Sequence, residues 1–250
     1  MQPIELVVFD MAGTTVTDHH EVERCFAEAA AQTGLSVTDE RILAMQGLAK
    51  RYVFETLWKE QLGEAHPDVQ AQVDVSYAAF KEILENHYLT TGATPTEGCL
   101  EAFAYLRERG IAIALTTGFY RTVTDIILEK LGWLAGLNEQ RLGGPDSIIQ
   151  ASIASDEVER GRPYPQMIER AMALLNVTNP KAVVNIGDTP SDLLSGRAAG
   201  VALNLGITNG THSADQLDSY PHDLLIGSLS ELPTLLNQVN SQAVGQSVGQ

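Results

Sequence analysis

The sequence predicts a doubly wound α/β fold, a parallel sheet with helices on both faces, carrying an all-helical insertion behind its first strand. Three observations support this. Four short apolar runs, Ile4–Asp10 (IELVVFD), Ile111–Gly118 (IAIALTTG), Lys181–Asp188 (KAVVNIGD) and the weaker Val201–Gly206 (VALNLG), have strand length and alternate too little for a sheet with one wet face. Amphipathic helical patterns lie between them. The segment from about Thr17 to Thr91 shows helical periodicity and almost no strand signal.

In chain order, IELVVFD is the first strand and delivers Asp10 to its end. In the insertion, Val69, Val73, Tyr77, Phe80, Leu84 and Tyr88 recur at spacings of three and four, which draws one apolar stripe along a long helix. Thr94, Pro95 and Glu97 read as a capping box that opens a helix through Leu100, Phe103 and Leu106, closed by Gly110. Helices are expected over Arg121–Leu131 and Pro165–Leu175, and Ser228 with Glu231 opens a last one reaching about Val239. The expected division is a core of residues 1–16 and 92–240, a helical cap of 17–91 and a polar tail of 241–250.

Composition narrows the function. The 32 acidic and 16 basic side chains leave a formal net charge of −16 without a compensating Lys/Arg cluster, which argues against nucleic acid as a partner. A small phosphorylated metabolite is compatible with that field, because a local cation or bound metal reverses the potential inside a cleft. Cys25 and Cys99 are too few for a disulfide framework, and no apolar run approaches the ~20 residues of a membrane span. The expectation is a soluble, cytoplasmic protein with no membrane partner.

The chemistry sits where the strands end, the edge at which open α/β sheets bind ligands. Asp10 offers a carboxylate, Thr117 with Gly118 a hydroxyl and a backbone N–H, Arg162 in RGRPYP a permanent cation, and GDTPSD the pair Asp188 and Asp192. An anionic nucleophile, a hydroxyl, a cation and an acid pair for a hard metal form a set suited to phosphoryl transfer. Two alternatives stay open: Thr116 is as near the strand end as Thr117, and Asp192 is also placed to complement a helix N-terminus.

The ordered motifs DMAGTT, TTG, GRP and GDTPSD, with a helical segment after the first, resemble the haloacid dehalogenase (HAD) superfamily with its Rossmann-like core. DMAGTT is most similar to the phosphonatase branch, the phosphonoacetaldehyde hydrolases and their relatives, in which alanine replaces the usual second acid. The resemblance implies that Asp10 attacks phosphorus to form an aspartyl phosphate. Mg²⁺ would lie between the carboxylates of Asp10 and Asp188 and the backbone carbonyl of Ala12. Thr117 and the N–H of Gly118 would hold phosphoryl oxygens, Arg162 would offset their charge, and Asp192 would orient metal-bound water or a neighbouring cation. A homodimer through the cap is also implied.

Ala12 has a chemical meaning. Hydrolysis of a phosphate ester benefits from an acid that protonates the departing oxygen, whereas a carbon–phosphorus bond needs an electron sink for the departing carbon. A lysine imine is such a sink. MQGLAK, Met45–Lys50, resembles the cap-loop pattern in which glycine precedes the Schiff-base lysine by three positions, which singles out Gly47 and Lys50. Burial, or nearby Arg51, is expected to favour the neutral amine.

The chain departs from that pattern at Gln46, where methionine is usual, at Val53 in place of histidine, and at His20 in place of cysteine. The expected substrate is phosphonoacetaldehyde or a related phosphonate. A small phosphate monoester, with His20 or Lys50 supplying the missing acid, is the second reading, and a silent binding protein on the same fold is the third.

Overall fold

A computed structural model describes residues 3–238. The expected end of the last helix at Val239 and the polar tail lie outside the described residues. Strand β1 (Leu6–Asp10) leads into four helices, α1 (Glu21–Thr33), α2 (Asp39–Leu43), α3 (Lys50–Leu62) and α4 (Val69–Thr91). The chain then continues through α5 (Cys99–Glu108), β2 (Ala112–Thr116), α6 (Arg121–Lys130), β3 (Ala151–Ile153), α7 (Gln166–Leu174) and β4 (Val183–Gly187). It ends with α8 (Pro190–Ala199), β5 (Leu203–Ile207), the short α9 (Ala214–Leu217), β6 (Leu224–Ile226) and helical residues 232–238.

The six strands form one sheet in the order β3-β2-β1-β4-β5-β6, and every pairing is parallel. β1 lies between β2 and β4, in register Asp10 with Thr116 and Phe9 with Ile186, so the ends of three strands meet beside Asp10. Alternate β1 side chains serve opposite faces: Val7 and Phe9 join a core that continues into the inserted helices, while Leu6 and Val8 pack with Met167, Ile168 and Ala171 of α7. The four apolar runs form β1, β2, β4 and β5. The sequence reading did not include β3 and β6, which have three residues each and form the two edges.

The apolar stripe forms α4, with Val69, Val73, Phe80, Leu84 and Tyr88 buried. Tyr77 is only half-buried, and the buried neighbour on that turn is Ser76, which accepts a hydrogen bond from Trp58 Nε1 at 2.9 Å and shares one with Thr33 Oγ1 at 2.7 Å. Phe26 of α1 stacks on Phe54 of α3 at 4.2 Å between ring centroids, and Phe80 closes the trio from α4. The inserted helices therefore hold an aromatic cluster within that continuous core.

The Thr94–Glu97 capping box does not form. Helix α5 starts at Cys99 behind Gly98, which adopts φ 76°, and Leu100 of the expected apolar face is half-exposed while Cys99, Ala102, Phe103 and Leu106 are buried. Long-range pairing wins over the local cap. The Thr17 N–H donates to Thr94 O at 2.9 Å, the Thr96 N–H to Thr15 O at 3.1 Å and the Thr96 hydroxyl to Thr14 O at 2.6 Å. The chain segments entering and leaving the insertion are thus tied together at its base. At the far end Ser228 and Glu231 do cap each other, opening a 3₁₀ turn. Among the described residues no helix is long and apolar enough to cross a membrane.

Phe80 is fully buried against two rings, whereas Val75 on the same helix is 56% exposed. Phe80→Ala is expected to cost about 3–5 kcal/mol in chemical denaturation and Val75→Ala less than ~0.5 kcal/mol. Equal losses would contradict the burial assigned to this helix.

Candidate active site

β1 carries Asp10 to the C-terminal edge of the sheet, and the chain then folds into a tight turn in which the N–H groups of Thr14, Thr15 and Val16 all donate to Met11 O. Gly13 makes that turn possible. It adopts φ 85°, and a Cβ there would lie 2.2 Å from Asp188 Oδ2. The turn therefore closes directly over the acid at the end of β4. Asp188 accepts hydrogen bonds from Thr14 Oγ1 at 3.1 Å and from both the N–H and the hydroxyl of Thr211 at 2.7 Å.

Arg162 is the buried cation between the acids. Its Nη1 meets Asp10 Oδ1 at 2.6 Å, its Nε meets Asp192 Oδ1 at 2.8 Å, and its Nη2 donates to Thr116 O at 2.9 Å and Thr116 Oγ1 at 2.8 Å. Asp192 stands at the third position of α8 and also accepts from the Thr189 N–H and hydroxyl, so it caps its helix and fixes Arg162 at once. Thr116 is committed to Arg162. Thr117 and Gly118 line the neighbouring cavity, and the Thr117 hydroxyl accepts from the Phe119 N–H at 3.1 Å.

Oxygen atoms of Asp10, Asp188 and Asp192 lie within 4.8 Å of one another, all buried. Burial pushes the Asp10 carboxyl well above the ordinary carboxylate range, with Asp192 and Asp188 adding and Arg162 opposing. Burial and Asp192 raise Asp188 to about 6, against its threonine hydrogen bonds. One guanidinium does not balance three such acids. The all-oxygen donors and the unrelieved repulsion fit a hard divalent cation such as Mg²⁺.

Lys50 is the first residue of α3 rather than part of a loop, and it is 7% exposed. It shares a small cavity of about 30 Å³ with Asp10, Ala12, Gly47, Thr117 and Gly118. Its Nζ donates to Gln46 Oε1 at 3.0 Å. Burial lowers its pKa to about 8 and Arg162 pushes the same way, against Asp18, Asp10 and Glu23. Arg51 is not the cause: it is half-exposed and pairs with Asp74 at 2.6 Å.

The Gln46–Leu48 segment lies directly on the core. Gly47 has φ 77°, and a Cβ there would come within 2.2 Å of Ser191 Oγ and 2.4 Å of Thr189 Oγ1. A Cβ on Gly118 would come within 2.7 Å of Gly47 O. Two glycines therefore permit the contact that brings Lys50 to the strand ends.

The departures from the family pattern separate in space. His20 is exposed, pairs with Glu23 at 2.8 Å and does not line the cavity, so the expected acid–base part for it lacks geometric support. Val53 is in the apolar core, and Gln46 is in the cavity wall. Sequence reasoning passed over Asp18, which lines the cavity and is raised to about 8 by burial and by Glu21. It also missed Thr14 and Thr211, the partners of Asp188. The Asn-Gly turn after β5 is the one local signal for Thr211; Asp18 lies in a polar run with none.

A model of the haloacid dehalogenase-like hydrolase family matches residues 4–200. Among curated proteins, a phosphonoacetaldehyde hydrolase of Bacillus cereus (strain G9842) is 35% identical over 213 residues, covering 79% of this chain and 74% of the relative. A phosphonoacetaldehyde hydrolase of Bacillus cytotoxicus is 35% identical over 215 residues with the same coverage. Among solved structures, a phosphonoacetaldehyde hydrolase-like protein from Oleispira antarctica superposes with a TM-score of 0.74 at 20% identity, covering 96% of this chain and 94% of that one. A β-phosphoglucomutase from Clostridium difficile superposes with a TM-score of 0.72 at 13% identity, covering 96% and 99%. The structural likenesses show the shared fold. With the family match over most of the chain and the sequence relatives, they identify this protein as a hydrolase of the haloacid dehalogenase-like family, in its phosphonatase-like branch.

Proposed function

We propose that the protein hydrolyses the carbon–phosphorus bond of phosphonoacetaldehyde or a closely related 2-oxo phosphonate, with Asp10 as nucleophile and Lys50 as imine-forming amine. The observation that carries this reading is that Lys50 and Asp10 line one cavity while the position two residues after the nucleophile is Ala12. The sequence relatives named phosphonoacetaldehyde hydrolase support it.

The neutral amine of Lys50 adds to the aldehyde carbon and, with uptake of one proton, water leaves to give a protonated imine. The Asp10 carboxylate attacks phosphorus, and the electron pair of the breaking C–P bond flows into the imine to give an enamine. Water then releases phosphate from the aspartyl phosphate. Protonation of the enamine carbon and hydrolysis of the imine release acetaldehyde and restore Lys50. Arg162 fixes the attacking carboxylate through Asp10 Oδ1, and Thr117 and Gly118 supply donors to the phosphoryl oxygens. Asp10, Asp188 and the backbone carbonyl of Ala12 would hold Mg²⁺, which would supply charge compensation for the phosphoryl group.

A second reading, hydrolysis of a small phosphate monoester, is favoured by Asp18. A cavity-lining carboxyl held near 8 keeps its proton at neutral pH and is able to protonate a departing alkoxide in place of the acid that Ala12 lacks.

Borohydride treatment with phosphonoacetaldehyde is expected to leave a reduced adduct on wild type and none on Lys50→Ala, read as intact mass. No adduct on wild type, together with phosphate release from monoesters, selects the second reading. Because the amine must be neutral and its pKa is about 8, the trapping rate should rise about tenfold per pH unit below that value and level off above it. A flat profile from pH 6 to 9 would contradict the assigned amine. Asp10→Asn should lower phosphate release by at least ~10³-fold under either reading, since it removes the nucleophile of a concerted site.

A further inference from the structure

Gln46 is 7% exposed, and only one of the two polar atoms of its amide has a hydrogen-bond partner among the described residues. Its Oε1 accepts from Lys50, and its Nε2 has no partner among the described residues. The amide oxygen faces Lys50 Nζ, which leaves the NH₂ group, on the other arm of the amide, without such a partner. Buried donors are normally satisfied, and the residue that carries this one lines a cavity. It also borders a larger groove of about 620 Å³, lined by Tyr52, Arg162, Tyr164 and Tyr220 among others. Gln46 therefore lines both the small cavity that holds Asp10 and a wider groove with room for the organic end of a substrate.

We infer that Gln46 is a substrate-binding residue whose Nε2–H donates to an oxygen on the second carbon from phosphorus, making the site selective for oxygen-bearing organophosphorus compounds over plain alkyl ones. The inference rests on the phosphoryl site around Asp10 described under the proposed function. With Lys50 on its oxygen and the substrate oxygen on its nitrogen, a single planar amide brings the amine beside the carbon that bears that oxygen. The methionine usual at this position cannot donate such a bond, so the selectivity belongs to this chain's own residue.

The test is equilibrium binding in the presence of Mg²⁺, with propylphosphonate, 2-hydroxypropylphosphonate and inorganic phosphate as probes. The two phosphonates share a carbon skeleton, and neither condenses with an amine, so imine chemistry does not enter the comparison. Wild type should bind the hydroxy compound about tenfold more tightly than the alkyl one, the usual scale of one buried hydrogen bond. In Gln46→Leu and Gln46→Met the preference should fall to within about twofold while phosphate affinity is retained. Should the leucine variant fail to fold, the methionine variant, which keeps the side-chain length, provides the comparison. A wild-type ratio near one, or a ratio unchanged in a variant that binds phosphate, overturns the assignment of Gln46 alone. If wild type binds none of the three probes, the phosphoryl site itself is refuted, and Gln46 with it.

Discussion

The arrangement depends on one buried cation. Arg162 connects Asp10, Asp192 and Thr116, and so joins the ends of β1 and β2 to the start of α8. Buried ion pairs repay their desolvation only when geometry is good and the remaining polar atoms have partners. Here the guanidinium makes four polar contacts of 2.6–2.9 Å. Such a pair contributes little net stability. What it contributes is a fixed direction for the Asp10 carboxylate and a local positive charge within a chain whose formal net charge is −16.

The backbone packs closely around the acids of the same site. Asp188 has Gly13 and Gly210 against it, and a Cβ on Gly210 would come within 2.5 Å of its own Cβ. Backbone this close lets Thr14 and Thr211 hold the carboxylate in one orientation. From the other side, Gly47 and Gly118 let the inserted segment approach until Lys50 and Gln46 complete the cavity. The cavity is thus made by two parts of the chain, the sheet edge contributing Asp10, Thr117 and Gly118 and the insertion contributing Gln46 and Lys50.

The parts of this picture legible in sequence are those where local signals and burial agree. Asp10, Asp188, Thr117 and Gly118 stood out because apolar runs stop at them, and buried parallel strands stop where ligands bind. The α4 stripe was legible because one face of a long helix meets one aromatic core. The edge strands β3 and β6 were not, since three residues carry too little pattern. Thr94–Glu97 misled because its threonines pair with Thr14–Thr17, a contact decided by how the insertion joins the core. The burial of Gln46 and the partial burial of Asp18 likewise follow from seating the insertion on α8 and the β1 turn. The neighbours of these two residues in the sequence give no local sign of that long-range contact.

The central proposal is that Asp10 and Asp188, crowded by Asp192, would hold a divalent cation. Thermal unfolding with and without Mg²⁺, for wild type and Asp188→Asn, tests it most directly. At about a hundredfold excess over Kd, binding should stabilise wild type by about 2.7 kcal/mol, raising Tm by roughly 5–10 °C, and Asp188→Asn should lose most of that rise. No rise in wild type, or an equal rise in Asp188→Asn, would contradict the account.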